Sequence, residues 1–362
     1  MLYKFSKNSP AFGLDLSDNS FKVVQLGKKR GKVFIDSFFK GEIPSGLIKG
    51  GEIQKEKELV DLFKKSFEKN KGNSFQGERV VCSLPEEKVF IRIIQLPFMK
   101  KEELDEAVKW EAEAHIPLDI DEVYLGWQII EPIFSHVDHM DVLIVATPKN
   151  LVNSYVSFLK KSGFKPIALE PESVAVVRSL MRDDDLKPTI IVDLGATGTN
   201  FVIFSALAIR FTSHIPISGN LLNQAIMKEL GVDEKEANQL KIKVGLDKAS
   251  RSSKKKGKVY KALDPVIDSL AKQIRDYIKF YHEHSTHIHG PDGAIGQVVL
   301  CGGDSLLINL PEVFSKKLEL PVKIGNSLIN INFSNKKNQL KMSKKESLVY
   351  TTALGLALRD LE

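Results

Sequence analysis

Two aspartates stand at matching places in two similar stretches of the sequence. Asp15 lies in FGLDLSDNSFKVVQL (12–26), and Asp193 lies in IIVDLGATGTNFVIF (190–204). In each stretch an apolar run ends in Asp-Leu, small or polar residues follow, and a second apolar run begins at once. A turn of small residues presents backbone N–H groups that bind phosphate oxygens, and an adjacent Asp can orient waters on Mg²⁺. The pair predicts two turns that clamp a polyphosphate with a bridging Mg²⁺.

A third glycine turn, in QVVLCGGDSLLINL, follows a predicted strand and precedes a predicted helix. Gly302 and Gly303 therefore lie beside a helix N-terminus, which is a suitable floor for a nucleotide. A single Asp-Leu-Gly hairpin often binds nothing. Two such hairpins about half the chain apart, together with this third turn, favour a nucleotide site.

The elements that must position these turns are mixed strands and helices, which indicates an α/β protein. Apolar patterns predict strands at 12–16, 21–26 and 32–40. Residues 88–163 read as strand, helix, strand, strand and helix, so they are predicted to form a small sheet inserted into a larger fold. Trp110 and Trp127 in this block are expected to be core residues. Further strands and helices follow from residue 165, including a long helix from about Pro265 to His284.

Composition fits a protein of two domains. The chain has 362 residues, of which 43% are hydrophobic and 27% are charged, so it can bury a sizeable core. A net charge of +6 gives no reason to expect that the protein binds nucleic acid.

Cys82 and Cys301 lie far apart in the sequence, each in an apolar run. This pattern predicts that they are buried, reduced thiols of a cytosolic protein. The N-terminal residues lack a secretory apolar region, and no window approaches the roughly 20 apolar residues of a spanning helix.

Two charged stretches have simple interpretations. The histidines of YHEHSTHIHG (281–290) do not share one helical face, so a solvated helix end is expected there and not a metal site. The basic run 254–258 is expected to be an exposed linker, although lipid or nucleic acid could also contact it.

The turns and the inserted block together resemble a known family. Two phosphate turns in duplicated halves, followed by a Gly-Gly-x-Ser turn, resemble the actin-like ATPase fold, an α/β fold with ribonuclease H-like halves. The place of the inserted block resembles the FtsA branch, with its 1C subdomain. Within that branch, residues 86–130, and above all the helix ending in HIPLDIDEV, are similar to the PilM family of type IV pilus assembly proteins. The resemblance covers nearly the whole chain.

The resemblance implies a subdomain plan. Subdomain 1A would comprise 1–87, 164–188 and 341–362, 1C would comprise 88–163, 2A would comprise 189–217 and 290–340, and 2B would comprise 218–289.

The resemblance also implies site residues. Those expected to bind nucleotide are Ser17, Asp18, Asn19, Ser20, Lys22, Gly195, Ala196, Thr197, Gly198, Thr199, Gly219, Asn220, Lys241, Gly302, Gly303, Ser305 and Asn326. Asp15 and Asp193 would hold Mg²⁺ through water. Glu170 would position a water for hydrolysis, or would simply be a Glu favoured at a helix N-terminus. Asp18 and Asp304 depart from the family pattern and add negative charge near the phosphates, so at most slow hydrolysis is expected.

The function implied is an ATP- and Mg²⁺-binding cytoplasmic component of the pilus inner-membrane platform, active in pilus assembly and motility. The cytoplasmic N-terminal peptide of PilN would dock in a groove between the first subdomain and the inserted block, and would hold the protein at the inner membrane. Other platform proteins and self-association are further expected contacts. The alternatives are an FtsA-like scaffold of cell division or secretion, a small-molecule kinase of the same fold, and a scaffold that has lost ATP.

Overall fold

A computed structural model of the chain describes residues 10–70, 75, 77–131, 139–247, 254–284, 294–331 and 342–361. The chain forms two compact units. Unit 1 comprises Met1–Asp183 and Asn326–Glu362, and unit 2 comprises Asp184–Gly325.

Unit 1 contains ten strands and six α-helices among its described residues. The strands are β1 (Phe12–Leu16), β2 (Ser20–Lys29), β3 (Lys32–Glu42), β4 (Ile48–Lys49), β5 (Glu52–Ile53), β6 (Arg79–Leu84), β7 (Phe90–Leu96), β8 (Val123–Ile130), β9 (Met140–Pro148) and β10 (Lys165–Pro171). The helices are α1 (Glu56–Lys69), α2 (Lys101–His115), α3 (Lys149–Lys161), α4 (Glu172–Leu180), α9 (Lys344–Ser347) and α10 (Thr351–Arg359).

The main sheet of unit 1 has the strand order β10-β6-β1-β2-β3. Its central strand β1 runs antiparallel to β2 and parallel to β6. Helices α1 and α3 share a buried core with one face of this sheet, and α10 shares a core with the other. Every residue of β1 is therefore buried, as expected for a strand covered on both faces.

The inserted block forms a separate three-stranded antiparallel sheet with the order β7-β9-β8. The predicted succession of strand, helix, strand, strand and helix is present. Helix α2 covers one face of this small sheet with Leu104, Val108 and Ala112. Helix α3 does not cover the other face, because its buried side chains belong to the core of the main sheet.

Trp110 was predicted to be a core residue, and that prediction is wrong. Its side chain is 75% exposed. The reason is the phase of α2: Leu104, Val108 and Ala112 define the buried stripe at spacings of four residues, and Trp110 projects from the other side. Trp127 is partly buried in the small-sheet core, and its Nε1 donates to Asp105 Oδ1 at 3.0 Å.

Unit 2 repeats the topology of the main sheet. Its strands are β11 (Thr189–Leu194), β12 (Thr199–Ser205), β13 (Ala208–Ile215), β14 (Gln297–Cys301) and β15 (Val322–Ile324), and its helices are α5 (Gly219–Leu230), α6 (Glu234–Val244), α7 (Lys254–His284) and α8 (Leu310–Leu318). The strand order is β13-β12-β11-β14-β15. Central strand β11 is antiparallel to β12 and parallel to β14. The predicted duplication of the halves is therefore confirmed.

Two boundaries differ from the sequence expectations. Helix α7 already begins at Lys254, so the run 254–258 lies in helical turns and not in a linker. The second boundary is the point where the chain returns from unit 2 to unit 1: Leu328 and Ile331 already pack in the unit 1 core with α10. Of the histidine cluster, His287 and His289 lie outside the described residues. Among the helices that are described, none has both the length and the apolar character needed to cross a membrane.

Candidate functional site

The first turn follows Asp15, the penultimate residue of β1. Asp15 lies opposite Lys22 of β2 in the strand register, and Lys22 Nζ donates to Asp15 Oδ2 at 2.8 Å. Both side chains are largely buried. Burial, together with the Asp15 carboxylate, raises the pKa of the neighbouring Cys82 thiol, so Cys82 stays protonated. Asp15 and Lys22 thus form a fixed charge pair behind the turn.

The tip of the first turn is formed by Asp18 and Asn19. The Ser17 N–H donates to the Ser20 carbonyl at 3.0 Å and closes a two-residue turn. Within the described residues, the N–H groups of Asp18 and Asn19 donate to no protein acceptor. They therefore remain available to an anion, which is a property that a phosphate-binding turn needs.

The carboxylate of Asp18 is held away from this tip. Its Oδ2 accepts from the Gly50 N–H at 2.8 Å, and its Oδ1 accepts from the Gly51 N–H at 2.9 Å. Two amide dipoles thus partly offset the negative charge that the family pattern lacks.

The second turn has the same closure. The Gly195 N–H donates to the Gly198 carbonyl at 2.9 Å, which leaves Ala196 and Thr197 at the tip. The N–H groups of these two tip residues also have no acceptor in the part of the chain that the structure describes. Both turns therefore present two adjacent amides immediately after an Asp-containing strand.

Glycines let the second turn pack closely against its neighbours. A Cβ on Gly198 would lie 2.1 Å from Cε1 of His214, and one on Gly195 would lie 2.8 Å from the Gly198 carbonyl oxygen. His214 Nδ1 lies 2.7 Å from Asn200 Oδ1. In the register Asn200 is opposite Asp193, as Lys22 is opposite Asp15. Sequence reasoning missed Asn200 and His214, although the hairpin register could have identified both.

The glycine turn after β14 lies against Asp193. Gly302 has φ +80°, and a Cβ there would be 2.4 Å from Asp193 Oδ1 and 2.5 Å from the Leu194 carbonyl oxygen. Only glycine fits this place. Burial and the Asp193 carboxylate raise the pKa of the Cys301 thiol well above its ordinary value. The structure therefore brings Asp193 and Gly302 together.

The start of α5 is bonded to the second turn. The Gly219 N–H donates to the Gly195 carbonyl, and the Asn220 N–H donates to the Ala196 carbonyl, both at 3.0 Å. Gly219 and Asn220 were expected to bind nucleotide, and in this structure their amides hold the turn on the helix. Ser218 caps α5, with its hydroxyl accepting from the Leu221 N–H at 3.3 Å.

Lys241 forms an ion pair with Asp304, one of the two aspartates that depart from the family pattern. Its Nζ lies 2.6 Å from Asp304 Oδ1 and donates to the Gly219 carbonyl at 3.2 Å. Lys241 is buried, and a Cβ on Gly219 would lie 1.8 Å from Asp304 Oδ2. The negative charge of Asp304 is thus compensated within unit 2 by Lys241, a residue that was expected to bind nucleotide.

The remaining predicted residues have local roles. The Ser305 hydroxyl donates to the Gly302 carbonyl at 2.7 Å. A Cβ on Gly303 would meet no atom within 4 Å, so this glycine faces open space. Asn326, in unit 1, uses Oδ1 to accept from the Leu328 N–H at 3.4 Å.

Glu170 is enclosed by arginines. Its Oε1 accepts from Arg178 Nη1 at 2.5 Å, and its Oε2 accepts from Arg178 Nη2 at 3.2 Å and from Arg359 Nη1. The Glu170 side chain is almost fully buried. Since both oxygens are bonded to guanidinium groups, the geometry favours an ion-pair role within unit 1 over the expected water-positioning role.

Among the described residues, no group of three or more His, Cys, Asp or Glu side chains lies close enough together to hold a metal ion. A cavity in unit 2, lined by Leu194, Thr199, Gly219 and Leu307 among others, has a volume of about 10 Å³. That is room for one water and not for a base or a sugar.

The comparisons with known proteins now identify the family. The family described as type IV pilus assembly protein PilM matches residues 13–361. The chain belongs to this family. The resemblance seen in the sequence is therefore confirmed.

Other similarities agree with PilM membership. The cell division protein FtsA of Neisseria meningitidis serogroup B is 23% identical over 251 residues, which are 62% of this chain and 59% of FtsA. The match thus spans less than two thirds of that relative. A solved PilM-PilN type IV pilus biogenesis complex contains a chain 23% identical, with 98% of this chain and 99% of that chain covered and a TM-score of 0.78.

MreB5 of Spiroplasma citri, solved bound to ADP, is 15% identical to this chain. The match covers 96% of this chain and 95% of the MreB5 chain, with a TM-score of 0.51. These structures show the actin-like fold. The FtsA-type assignment of the inserted subdomain stays a prediction.

Proposed function

We propose that this PilM-family chain binds ATP with Mg²⁺ and docks the cytoplasmic N-terminal peptide of PilN, within the type IV pilus assembly platform. The proposal of nucleotide binding rests on one observation, which is that the two turns share the same backbone geometry. Each is closed by one backbone hydrogen bond, presents two amides at its tip and follows an Asp. A turn that binds phosphate through its backbone needs these features.

The residues present suit a magnesium nucleotide. Asp15 and Asp193 would hold the ion through water, and Mg²⁺ commonly keeps several waters beside phosphate. Bound Mg²⁺ would offset phosphate charge. Lys22, which is paired with Asp15, lies behind the first turn, and the tip amides would receive phosphate oxygens. Because Glu170 is bonded to two arginines, we propose nucleotide binding with at most slow hydrolysis.

The test is binding of a fluorescent ATP analogue with Mg²⁺ to the full chain. We expect Asp193→Ala to weaken binding by about tenfold or more, because it removes one of the two carboxylates that would hold Mg²⁺. Asp276→Ala, on an exposed part of α7, is the matched control and should keep the affinity. Equal affinity of Asp193→Ala and the unaltered chain would remove Asp193 from the proposal.

The PilN part rests on the face of the small sheet that α2 does not cover. Ile91 and Ile93 of β7 lie opposite Val145 and Leu143 of β9. These four side chains are only partly buried and belong to none of the buried cores of the described residues. A contiguous apolar surface of this kind commonly marks an interaction site.

This open face adjoins helix α3. Tyr124 of β8 is 48% exposed, and its hydroxyl donates to Asn153 Oδ1 of α3 at 3.2 Å. Since α3 packs on the main sheet, the open face borders the first subdomain. The groove expected from the family resemblance would lie here. A peptide bound in it would keep the protein at the inner membrane, because the family resemblance implies that PilN is a membrane protein.

Titration with the PilN N-terminal peptide tests this surface. We expect Leu143→Asp to weaken peptide binding by about tenfold or more, because it places a charge on the apolar face. Trp110→Ala changes the exposed side of α2 and should leave binding unchanged. No binding at high micromolar peptide, or a loss caused by Trp110→Ala alone, would contradict docking on the open face.

A further inference from the structure

The hairpin of β4 and β5, residues 48–53, contacts three important parts of unit 1. Its two-residue turn consists of Gly50 and Gly51, with φ +56° and +73°. Positive φ at both central residues is what a type I′ hairpin turn requires. The turn is therefore a defined, narrow structure and not an irregular loop.

The first contact of this 48–53 hairpin is with the first phosphate turn. The N–H groups of Gly50 and Gly51 both donate to the Asp18 carboxylate, at 2.8 and 2.9 Å. Asp18 is also one of the two tip residues whose own N–H is open to an anion. One residue thus joins the phosphate-facing backbone to the hairpin.

The second contact is with the segment that leads into the small sheet. A Cβ on Gly51 would lie 2.4 Å from Cγ of Pro85, so the hairpin backbone packs directly on that ring. Lys88 Nζ bonds to Glu52 Oε1 at 2.7 Å. Pro85 and Lys88 lie between β6 of the main sheet and β7 of the small sheet.

The third contact is with the segment that leads out of the small sheet. The Tyr155 hydroxyl donates to the Gly51 carbonyl at 2.7 Å. Tyr155 lies on α3, which follows β9 directly, and its side chain is fully buried. Burial raises the pKa of Tyr155 well above its ordinary value, so the hydroxyl stays a donor. Gly51 therefore touches both connections of the small sheet.

We infer that the 48–53 hairpin couples phosphate binding at the first turn to peptide binding on the small sheet, with Tyr155 as a positioning residue. This inference rests on the proposed function. A phosphate bound to the Asp18 and Asn19 amides favours one orientation of the turn. The Asp18 carboxylate transmits that orientation to Gly50 and Gly51, and the Pro85 and Tyr155 contacts transmit it to the small sheet. Each ligand then changes the affinity for the other by the same factor.

The experiment is a thermodynamic cycle on the full chain. The affinity of a fluorescent ATP analogue is measured with and without saturating PilN N-terminal peptide, and the peptide affinity with and without the analogue. In the unaltered chain we expect a change of about fivefold or more in both directions. In Tyr155→Phe the factor should approach one, while each separate affinity stays within about twofold. This variant removes one oxygen atom and leaves the ring in the core.

Tyr260→Phe is the matched control, because it removes a partly buried hydroxyl that bonds to Asp264 in unit 2 and should keep the coupling. Full coupling in Tyr155→Phe would overturn the inference, and so would independent binding of the two ligands to the unaltered chain. In both cases the proposed function would stand. Failure of either ligand to bind the unaltered chain would instead overturn the proposed function together with the inference.

Hydrogen exchange gives a second readout that needs no peptide. The analogue alone should alter exchange at the Gly50 and Gly51 amides in the unaltered chain, because their acceptor belongs to the occupied turn. Unchanged exchange at saturating analogue would count against transmission through Asp18.

Discussion

The two phosphate turns have the same backbone plan but are held in place by different means. In unit 1, charged side chains position the turn: Lys22 bonds to Asp15, and Asp18 bonds to the 48–53 hairpin. In unit 2, close backbone packing positions it: Gly302 lies against Asp193, and the start of α5 is bonded to the turn carbonyls. A duplicated topology thus fixes the position of a turn without fixing the interactions that hold it.

This difference has a consequence for mutations. Unit 1 should be sensitive near its turn to the loss of charge, whereas unit 2 should also be sensitive to the addition of a single methyl group. Each unit carries one buried free cysteine, Cys82 in unit 1 and Cys301 in unit 2. Since a buried thiol reacts only when its surroundings open, alkylation of the two cysteines reports on the two units separately.

The largest expected effect comes from breaking a buried ion pair. Lys241→Met leaves the largely buried Asp304 carboxylate without its cation and should destabilise unit 2 by about 3–5 kcal/mol. Lys22→Met does the same to Asp15 in unit 1. We expect Lys241→Met to accelerate alkylation of Cys301 selectively, and Lys22→Met to accelerate that of Cys82. Equal acceleration of both thiols in either variant would show that the two units open together.

A smaller effect is expected from a methyl group at the glycine turn of unit 2. Gly302→Ala combines left-handed backbone strain with a contact of 2.4 Å to Asp193, and should cost about 2–4 kcal/mol of unfolding free energy. Gly303→Ala is the neighbouring control, since a Cβ there meets nothing within 4 Å. Urea unfolding followed by circular dichroism measures both. A similar loss in the two variants would disprove the packing explanation.

The smallest effect is a pH dependence in unit 1. Burial, with a contribution from Glu346, raises the pKa of Tyr350 to about 12, against about 10 in an unfolded chain. The stabilisation is therefore fully present below pH 10 and is lost as the pH rises towards 12. Unfolding free energies measured between pH 9 and 11 should fall less steeply in Tyr350→Phe. Parallel curves for the two proteins would refute this assignment.

Much of the architecture could be predicted from local sequence patterns. The two Asp-Leu hairpins, the glycine turn after β14 and the elements of the inserted block all depend on residues close together in the chain. Their outcome is visible in the matching strand orders of the two units. Gly302 was also identifiable, because a strand that ends in Gly-Gly before a helix needs unusual backbone angles.

The partners of the charged residues could not be predicted, because they are distant in sequence. Asp18 bonds to glycines 32 and 33 residues away, and Glu170 bonds to Arg359, 189 residues away. From the sequence, a carboxylate beside a predicted phosphate turn is expected to weaken phosphate binding. The N–H groups that offset its charge are visible only in the structure. Trp110 shows another limit, since α2 carries apolar residues on more than one side and only packing decides which are buried.

The position of α10 has a consequence for biosynthesis. This helix supplies Ala353, Leu354 and Ala357 to the unit 1 core, where they pack near Val24 and Leu26 of β2, yet it follows the whole of unit 2 in the chain. During translation unit 2 can therefore complete its core first, while one apolar side of the main sheet of unit 1 waits for its cover. Nascent chains that stall before α10 would present this surface to chaperones and to one another.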